Sequence, residues 1–434
     1  MLPYLKIGYF LVIKIKYLIY IFTVSAVIYG VHFLFLPIDL YRLSYVILSA
    51  LFLFHLKYIF MPKQWLWLIL LVCISMLYSL FVSFYTFSFE FHFVRMHVDY
   101  LLTFIVFIPI FVLYVSRGNT DIVSLLIYII STQAILMFLM LALPDFQKFI
   151  LSLLDINGIK RSEGLFRFRG VGFTGLATYS MAVSQSFGLY LFHIYWLRNL
   201  SKKKFYFSLF LFLIIFLSAL LSARTSFIFI GLLLLSYVFV FMTSTNIYLK
   251  RRILKALLFI TTMTILTGLY LANLDLPEIN KMLDWLGEFF YNLISGEGFK
   301  TSSTEKMKTF FFTPDELTIL LGDGRFLSAS EGYYMSIDIG YLRVLLYGGL
   351  IGSLLFYAVF IYLFFILIKT LSKKFGYASS IPMFFYAIAI FLTNIKGAVF
   401  FDGFLAMKFV SILAFALLYK DRSKKWQQNV VQKL

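Results

Sequence analysis

Six arginines, set in polar stretches or at the ends of apolar runs, carry the clearest chemical signal in the chain: Arg161, Arg167, Arg169, Arg224, Arg325 and Arg343. A guanidinium fork binds phosphate oxygens in bidentate fashion, so several converging would suit a diphosphate. Arg167 and Arg169 flank Phe168 and lead into Gly170, Gly172 and Gly175. In an extended segment both arginines fall on one side, and the small residues let backbone or substrate approach closely. Arg224 lies in Leu220-Leu221-Ser222-Ala223-Arg224-Thr225-Ser226, between two apolar runs and almost without polar neighbours. Charge close to a bilayer is costly. Arg224 either snorkels to water and headgroups or faces a cavity that holds an anion.

The acids expected on the same side are Glu163, Asp323, Glu331 and Asp338. Asp338 stands five residues ahead of Arg343, just before an apolar run, where a carboxylate can act as general base on a hydroxyl or cap the helix that follows. His92 and His97 are alternative bases. With Asp99 they make a conceivable metal set, but the spacing is generic, and no metal is assigned. Lys396, Asp402 and Lys408 fall near or within the last two apolar runs. Ionisable groups inside a membrane are functional suspects, although Asp402 and Lys408 also suit a simple pair. The chain has no phosphate-cradling Walker A loop, no nucleophile elbow, no zinc-protease helix and no dinucleotide-binding glycines. With Cys73 as its one cysteine, it holds no internal disulfide and no cysteine metal site.

The elements that position these residues follow from composition. Of 434 residues 62% are hydrophobic and 13% charged, and mean hydropathy is +0.92. Soluble domains carry roughly 25% charge. The reading is an all-α polytopic membrane protein, a single domain over 1–434, with about twelve spans of membrane length. They are placed near 10–30, 43–60, 65–84, 99–115, 122–143, 171–197, 205–222, 224–243, 253–272, 341–368, 378–395 and 397–419. The first run lacks a small-residue cleavage site and reads as a retained helix. The net charge of +18 sits in short connections such as Lys202–Lys204, Lys250–Arg252 and Lys373-Lys374, with few acids beside Asp121 and Asp421. That pattern sets orientation, with both termini cytoplasmic, and gives no reason to expect a nucleic-acid partner; membrane lipid is the expected neighbour.

Two long segments, 144–170 and 273–340, are then external loops. Asp145 is expected to cap a short helix whose Phe146, Phe149, Ile150 and Leu153 share a face, ended by Asn157-Gly158. In the larger loop Asp275-Leu276-Pro277-Glu278 has capping-box spacing. Ile279, Met282, Leu283, Leu286, Phe289, Phe290 and Leu293 follow at helical spacing, an amphipathic helix ended at Ser295-Gly296. Thr313-Pro314-Asp315-Glu316 predicts another helix, ending at Gly322-Asp323-Gly324. Ordered loops of this length are usually lids or binding elements.

Three stretches resemble the O-antigen polymerase family (Wzy type), within the O-antigen ligase and polymerase group of membrane glycosyltransferases. They are Arg167-Phe168-Arg169-Gly170-Val171-Gly172-Phe173-Thr174-Gly175, the hairpin Ser222-Ala223-Arg224, and Leu321-Gly322-Asp323-Gly324 with Ser336-Ile337-Asp338-Ile339-Gly340-Tyr341-Leu342-Arg343 and Tyr347-Gly348-Gly349-Leu350-Ile351-Gly352. Related ligases carry a histidine before the span that follows the large loop; Ser336–Gly340 has none, which favours polymerase over ligase. The resemblance implies an enzyme of the bacterial inner membrane, working at its periplasmic face. It would join undecaprenyl-diphosphate-linked oligosaccharide repeat units by glycosyl transfer in lipopolysaccharide or related polysaccharide biosynthesis. It implies no cofactor and, as a further partner, a polysaccharide chain-length regulator. It places Arg167, Arg169, Arg224 and Arg343 on the diphosphate, with Arg224 also stabilising the leaving group, and Asp338 as base. The alternatives are an O-antigen ligase and a transporter of lipid-linked glycans.

Overall fold

The computed structural model describes residues 25–31, 33, 40–118, 120–154, 172, 174, 178–198, 200–272, 305, 307–328, 332–401 and 405–431. Of the large loop it also describes 280, 284, 285, 287, 288, 291, 292 and 294–296. Arg161, Arg167, Arg169, Glu163, Glu331, Asp402, the capping box at Asp275–Glu278 and the apolar face from Ile279 to Leu293 lie outside the described residues. So does the first apolar run up to residue 24.

Among the described residues the chain is helical. Extended pairing is limited to two isolated antiparallel bridges, Phe33 with Leu154 and Leu327 with Tyr333. The helices are α1 (Leu40–His55), α2 (Lys63–Tyr85), α3 (His92–Arg117), α4 (Ile122–Ala142), α5 (Pro144–Leu153), α6 (Thr178–Trp196), α7 (Lys202–Ser222), α8 (Ser226–Thr243), α9 (Ile247–Ala272), α10 (Glu316–Leu321), α11 (Gly340–Phe375), α12 (Tyr377–Thr393) and α13 (Leu405–Val431). Six of them, α2, α3, α4, α7, α8 and α11, are long and apolar enough to cross a membrane; α12 and the Leu405–Tyr419 part of α13 are shorter apolar helices. Their outer faces leave large apolar side chains exposed, such as Phe81, Leu354 and Phe365, as a bilayer-facing surface requires.

Several boundaries differ from expectation. Helix α3 begins at His92, so His97 lies inside it. Helix α9 begins at Ile247 and takes Lys250, Arg251, Arg252 and Lys255 into its first turns. Helix α5 starts at Pro144 with Leu143 at the cap; Asp145 sits in the first turn, and Phe149 points outward while Ile150 is buried. Helix α10 starts at Glu316 rather than at Pro314 and is capped by Asp315, whose side chain accepts from Thr318 N at 2.7 Å. The last span does not begin at 397. Residues 394–401 are irregular yet buried at Ala398, Val399, Phe400 and Phe401.

Irregular backbone within such a bundle has to find hydrogen-bond partners in the protein, and it does. Tyr100 donates to the Phe400 carbonyl at 2.6 Å and Tyr179 to that of Thr393 at 2.5 Å. At the π turn Thr103–Phe107 inside α3, the indole of Trp65 donates to the Phe104 carbonyl at 3.0 Å. On the basic face, Arg198 pairs with Asp121, and Arg252 donates to the Trp196 carbonyl at 2.6 Å. Arginine there also holds the turns together.

The principal joint is between the large loop and α11. Gly349 breaks α11 with φ 61° and ψ −164°, which exposes carbonyls of the preceding turn. Asp323 N donates to the Leu346 carbonyl at 2.6 Å and Gly324 N to that of Tyr347 at 3.0 Å. Tyr78 Oη donates to the Gly348 carbonyl at 3.1 Å. Gly322 (φ 82°) ends α10 at this point. A Cβ on Gly322 would collide with the Tyr347 carbonyl, and one on Gly349 with the Leu320 carbonyl. The two glycine motifs interlock backbone to backbone.

Gly349→Ala is therefore expected to lower the unfolding temperature of the purified protein, the left-handed backbone alone costing about 1–3 kcal/mol. Gly231→Ala in α8, where an added methyl meets nothing within 4 Å, should leave it unchanged or raise it. Similar melting of the two variants would refute the interlock.

Candidate functional site

The joint carries the loop to the turn between α2 and α3. Phe87 and Phe89 adopt left-handed backbone there, which turns Glu90 back toward the loop. The Glu90 carboxylate accepts from Phe326 N at 2.7 Å and from Leu327 N at 3.0 Å. Its own carbonyl accepts from Ser83 Oγ at 2.6 Å. Half-burial pushes the Glu90 carboxyl up from its ordinary value, while the two amides and nearby Arg325 restrain the rise. Glu90 was not among the expected site residues.

Beyond this clamp a short hairpin forms. Tyr334 N donates to the Phe326 carbonyl at 3.1 Å and Ser328 N to that of Gly332 at 2.9 Å. The hairpin sets Phe326 and Tyr333 around Arg343, which rises from the first turn of α11 and is 4% exposed. The guanidinium carbon lies 3.2 Å from the ring centroid of Tyr333, 4.4 Å from Phe326 and 5.7 Å from Phe401. Each good cation–π contact contributes about 0.5–2 kcal/mol. The walls thus come from the loop hairpin and from the buried stretch before α13. His92 stacks on the outer side of Phe326, centroids 5.4 Å apart. Arg325 reaches over Tyr334 at 6.0 Å. Burial, then the neighbouring Asp323, raises the Tyr334 phenol. Asp323 also accepts from Thr318 Oγ1 at 2.5 Å.

The first turn of α11 is fixed at its base. Gly340 N donates to the Asn394 carbonyl at 3.0 Å, and Asn394 Nδ2 to Tyr357 Oη at 2.9 Å. Asn394 Oδ1 is buried without a hydrogen-bond partner among the described residues. Asp338 is exposed, while Ile337 and Ile339 on either side are buried. Helix α11 has no side-chain cap, so Asp338 does not serve the capping role that was its alternative.

Arg224 occupies a second centre. In the turn between α7 and α8 it forms an ion pair with Glu288 and lies 5.1 Å from the centroid of Trp285. Both partners sit on the helical stretch of the large loop. The arginine side chain is 11% exposed. Gly172, from the first arginine motif, packs on Gln133 and Met137, and Ser222 Oγ approaches Met137 Sδ at 4.0 Å. The first and second motifs thus meet at Met137.

The remaining expected residues have other settings. His97 is buried between Ser75 Oγ and the Phe93 carbonyl, both at 2.8 Å, so it is no external base. Among the described residues no three of His, Cys, Asp and Glu are grouped as metal ligands. Lys408 is buried, donates to the Val27 carbonyl at 2.8 Å and interacts electrostatically with Asp99 of α3. Glu90 and Asn394 gave no local sequence signal, since their partners are remote in the chain.

No protein-family model matches the chain, and neither a curated protein nor a solved structure matches it. What the site does chemically is read from its residues. Among the described residues it presents two enclosed guanidiniums, aromatic faces and an exposed carboxylate.

Two outcomes follow. Because its folded carboxyl is raised, the stability tied to Glu90 is greatest below the ordinary carboxylate range and is lost as pH rises through the raised value. In Glu90→Gln that loss disappears, so the wild-type unfolding temperature should fall relative to the variant from acid to neutral pH. Parallel curves would count against the assignment. Arg224→Ala should speed proteolytic cleavage of the 273–315 segment several-fold, about what 1 kcal/mol of lost anchoring allows. An unchanged cleavage rate would mean the pair does not hold the loop.

Proposed function

We propose that this protein polymerises O-antigen or related polysaccharide repeat units by glycosyl transfer between undecaprenyl-diphosphate-linked oligosaccharides. The reaction occurs at the periplasmic face of the bacterial inner membrane. About twelve spans, both termini on the cytoplasmic side, 144–170 and 273–340 as the periplasmic loops, and a chain-length regulator as partner belong to the same reading. The observation that carries it is the 322–334 part of the loop joined to α11, which encloses Arg343 in aromatic walls while Asp338 stays exposed at the start of the same helix.

In this scheme the acceptor sugar hydroxyl attacks the anomeric carbon of the lipid-linked chain. The new C–O bond forms as the anomeric bond to the diphosphate breaks, and the hydroxyl proton passes to Asp338. The negative charge that develops on the leaving undecaprenyl diphosphate needs preorganised cations; Arg167, Arg169, Arg224 and Arg343 supply them. Glu288 withdraws from Arg224 as the diphosphate arrives. Trp285 and Tyr333 present aromatic faces on which sugar rings can stack. The donor is already activated, so the reaction requires no cofactor. A transporter of lipid-linked glycans is the second reading, favoured by Lys408 buried within α13 near Asp99, the kind of intramembrane ionisable pair that carriers use. The ligase reading has no observation of its own in its favour.

Deletion of the gene in its own host, followed by a lipopolysaccharide gel, separates these readings. The polymerase predicts a ladder collapsed to core plus one repeat, restored by the wild-type gene. Arg343→Ala and Asp338→Asn should restore it at least about tenfold less well at equal expression, the effect of losing roughly 1.4 kcal/mol of transition-state stabilisation. Loss of the single repeat as well would point to the transporter or the ligase, and accumulated lipid-linked polymer would select the ligase.

A further inference from the structure

Helices α11 and α12 are joined by a one-residue turn at Gly376 (φ 87°) and part along their outer side into a groove of about 730 Å³. Its walls are apolar, with Phe364 and Ile368 on α11 and Phe384 and Ile388 on α12. Such a volume is ligand-sized, and the exposed rim residues Phe365 and Phe384 place it against lipid rather than water. Lys369 is the one charged residue among its described lining, and Ser372 and Tyr377 supply hydroxyls at the same end. Lys373, one turn further along α11, is exposed there too. No carboxylate lines the groove among the described residues.

We infer that this groove binds an anionic phospholipid, its phosphate at Lys369, Ser372 and Tyr377 and an acyl chain between α11 and α12. The charge arrangement favours an anionic headgroup over a zwitterionic one. Basic pockets between membrane helices take such headgroups, each lysine near the surface contributing about 1 kcal/mol. The apolar walls run on to Tyr341 and Ile395 near the first turn of α11, and it is the headgroup end that separates this lipid from the proposed substrate. Lys369 lies toward the far end of the 36-residue helix α11 from Arg343 and Asp338, so a lipid held at Lys369 has its headgroup at the opposite membrane face from them. The inference stands whether or not the other face carries glycosyl transfer.

The test is native mass spectrometry of the purified full-length protein with phosphatidylglycerol and phosphatidylcholine of equal chain length, and with a polyprenyl phosphate. Wild-type protein should retain phosphatidylglycerol on the order of fivefold better than phosphatidylcholine, the equivalent of about 1 kcal/mol. Lys369→Gln should abolish that preference, and Ile388→Trp, which fills the groove, should weaken retention of both phospholipids. Equal retention by the wild type, an unchanged preference in Lys369→Gln, or stronger binding of the polyprenyl phosphate would overturn the assignment. Because Lys369 is exposed, that variant decides the matter even where Ile388→Trp fails to fold.

Discussion

A broken helix in an apolar bundle creates a debt of unsatisfied carbonyls, and the way α11 settles it organises the outer part of this molecule. The break at Gly349 presents Leu346, Tyr347 and Gly348 carbonyls that the helix no longer serves. Asp323, Gly324 and Tyr78 donate to them. Leaving a buried carbonyl unpaired costs about 1–3 kcal/mol, so the loop amides are as necessary to α11 as α11 is to the loop. The interaction is between backbones, which is why it is written in glycines rather than in complementary side chains.

The second irregular stretch, 394–401, reaches the same place from the other direction. Its backbone is satisfied by tyrosines of distant helices, it supplies the base on which Gly340 rests, and it ends in Phe401, a wall of the Arg343 enclosure. Irregular backbone at both ends of the enclosure does what a continuous helix cannot. It turns side chains inward from segments far apart in sequence, and aromatic faces then hold a cation that is nearly removed from water.

What was legible in the sequence was what periodicity and composition encode. Apolar runs located α2, α4, α7 and α8 closely, and Gly322-Asp323-Gly324 marked the end of α10, but the break at Gly349 falls inside a run that reads as one continuous span. Interactions across sequence were not legible. Glu90 meets amides 236 positions away, and Arg224 meets a carboxylate 64 positions away. No local pattern announces either. The start of α9 is not legible as a boundary, because lysine and arginine are good helix formers and Arg252 reaches across to the turn between α6 and α7. His97 was placed outside for a related reason. A polar residue beside an apolar run can continue the helix when a neighbour such as Ser75 satisfies it.

Arg224 and Arg343 share a constraint that neither shows alone. Each is covered by residues of the same large loop: Glu288 and Trp285 over one, Tyr333 and Phe326 over the other. An anion that binds either guanidinium must displace its cover, and the cover over Arg343 is tied through Phe326 to Glu90 and through Gly324 to α11. A ligand shifts a conformational equilibrium only by its difference in affinity between the two states. An anion that took the place of either cover would therefore be coupled to loop position by the energy of these contacts. Glu288 and Glu90 are the carboxylates through which the loop meets the α7–α8 turn and the α2–α3 turn.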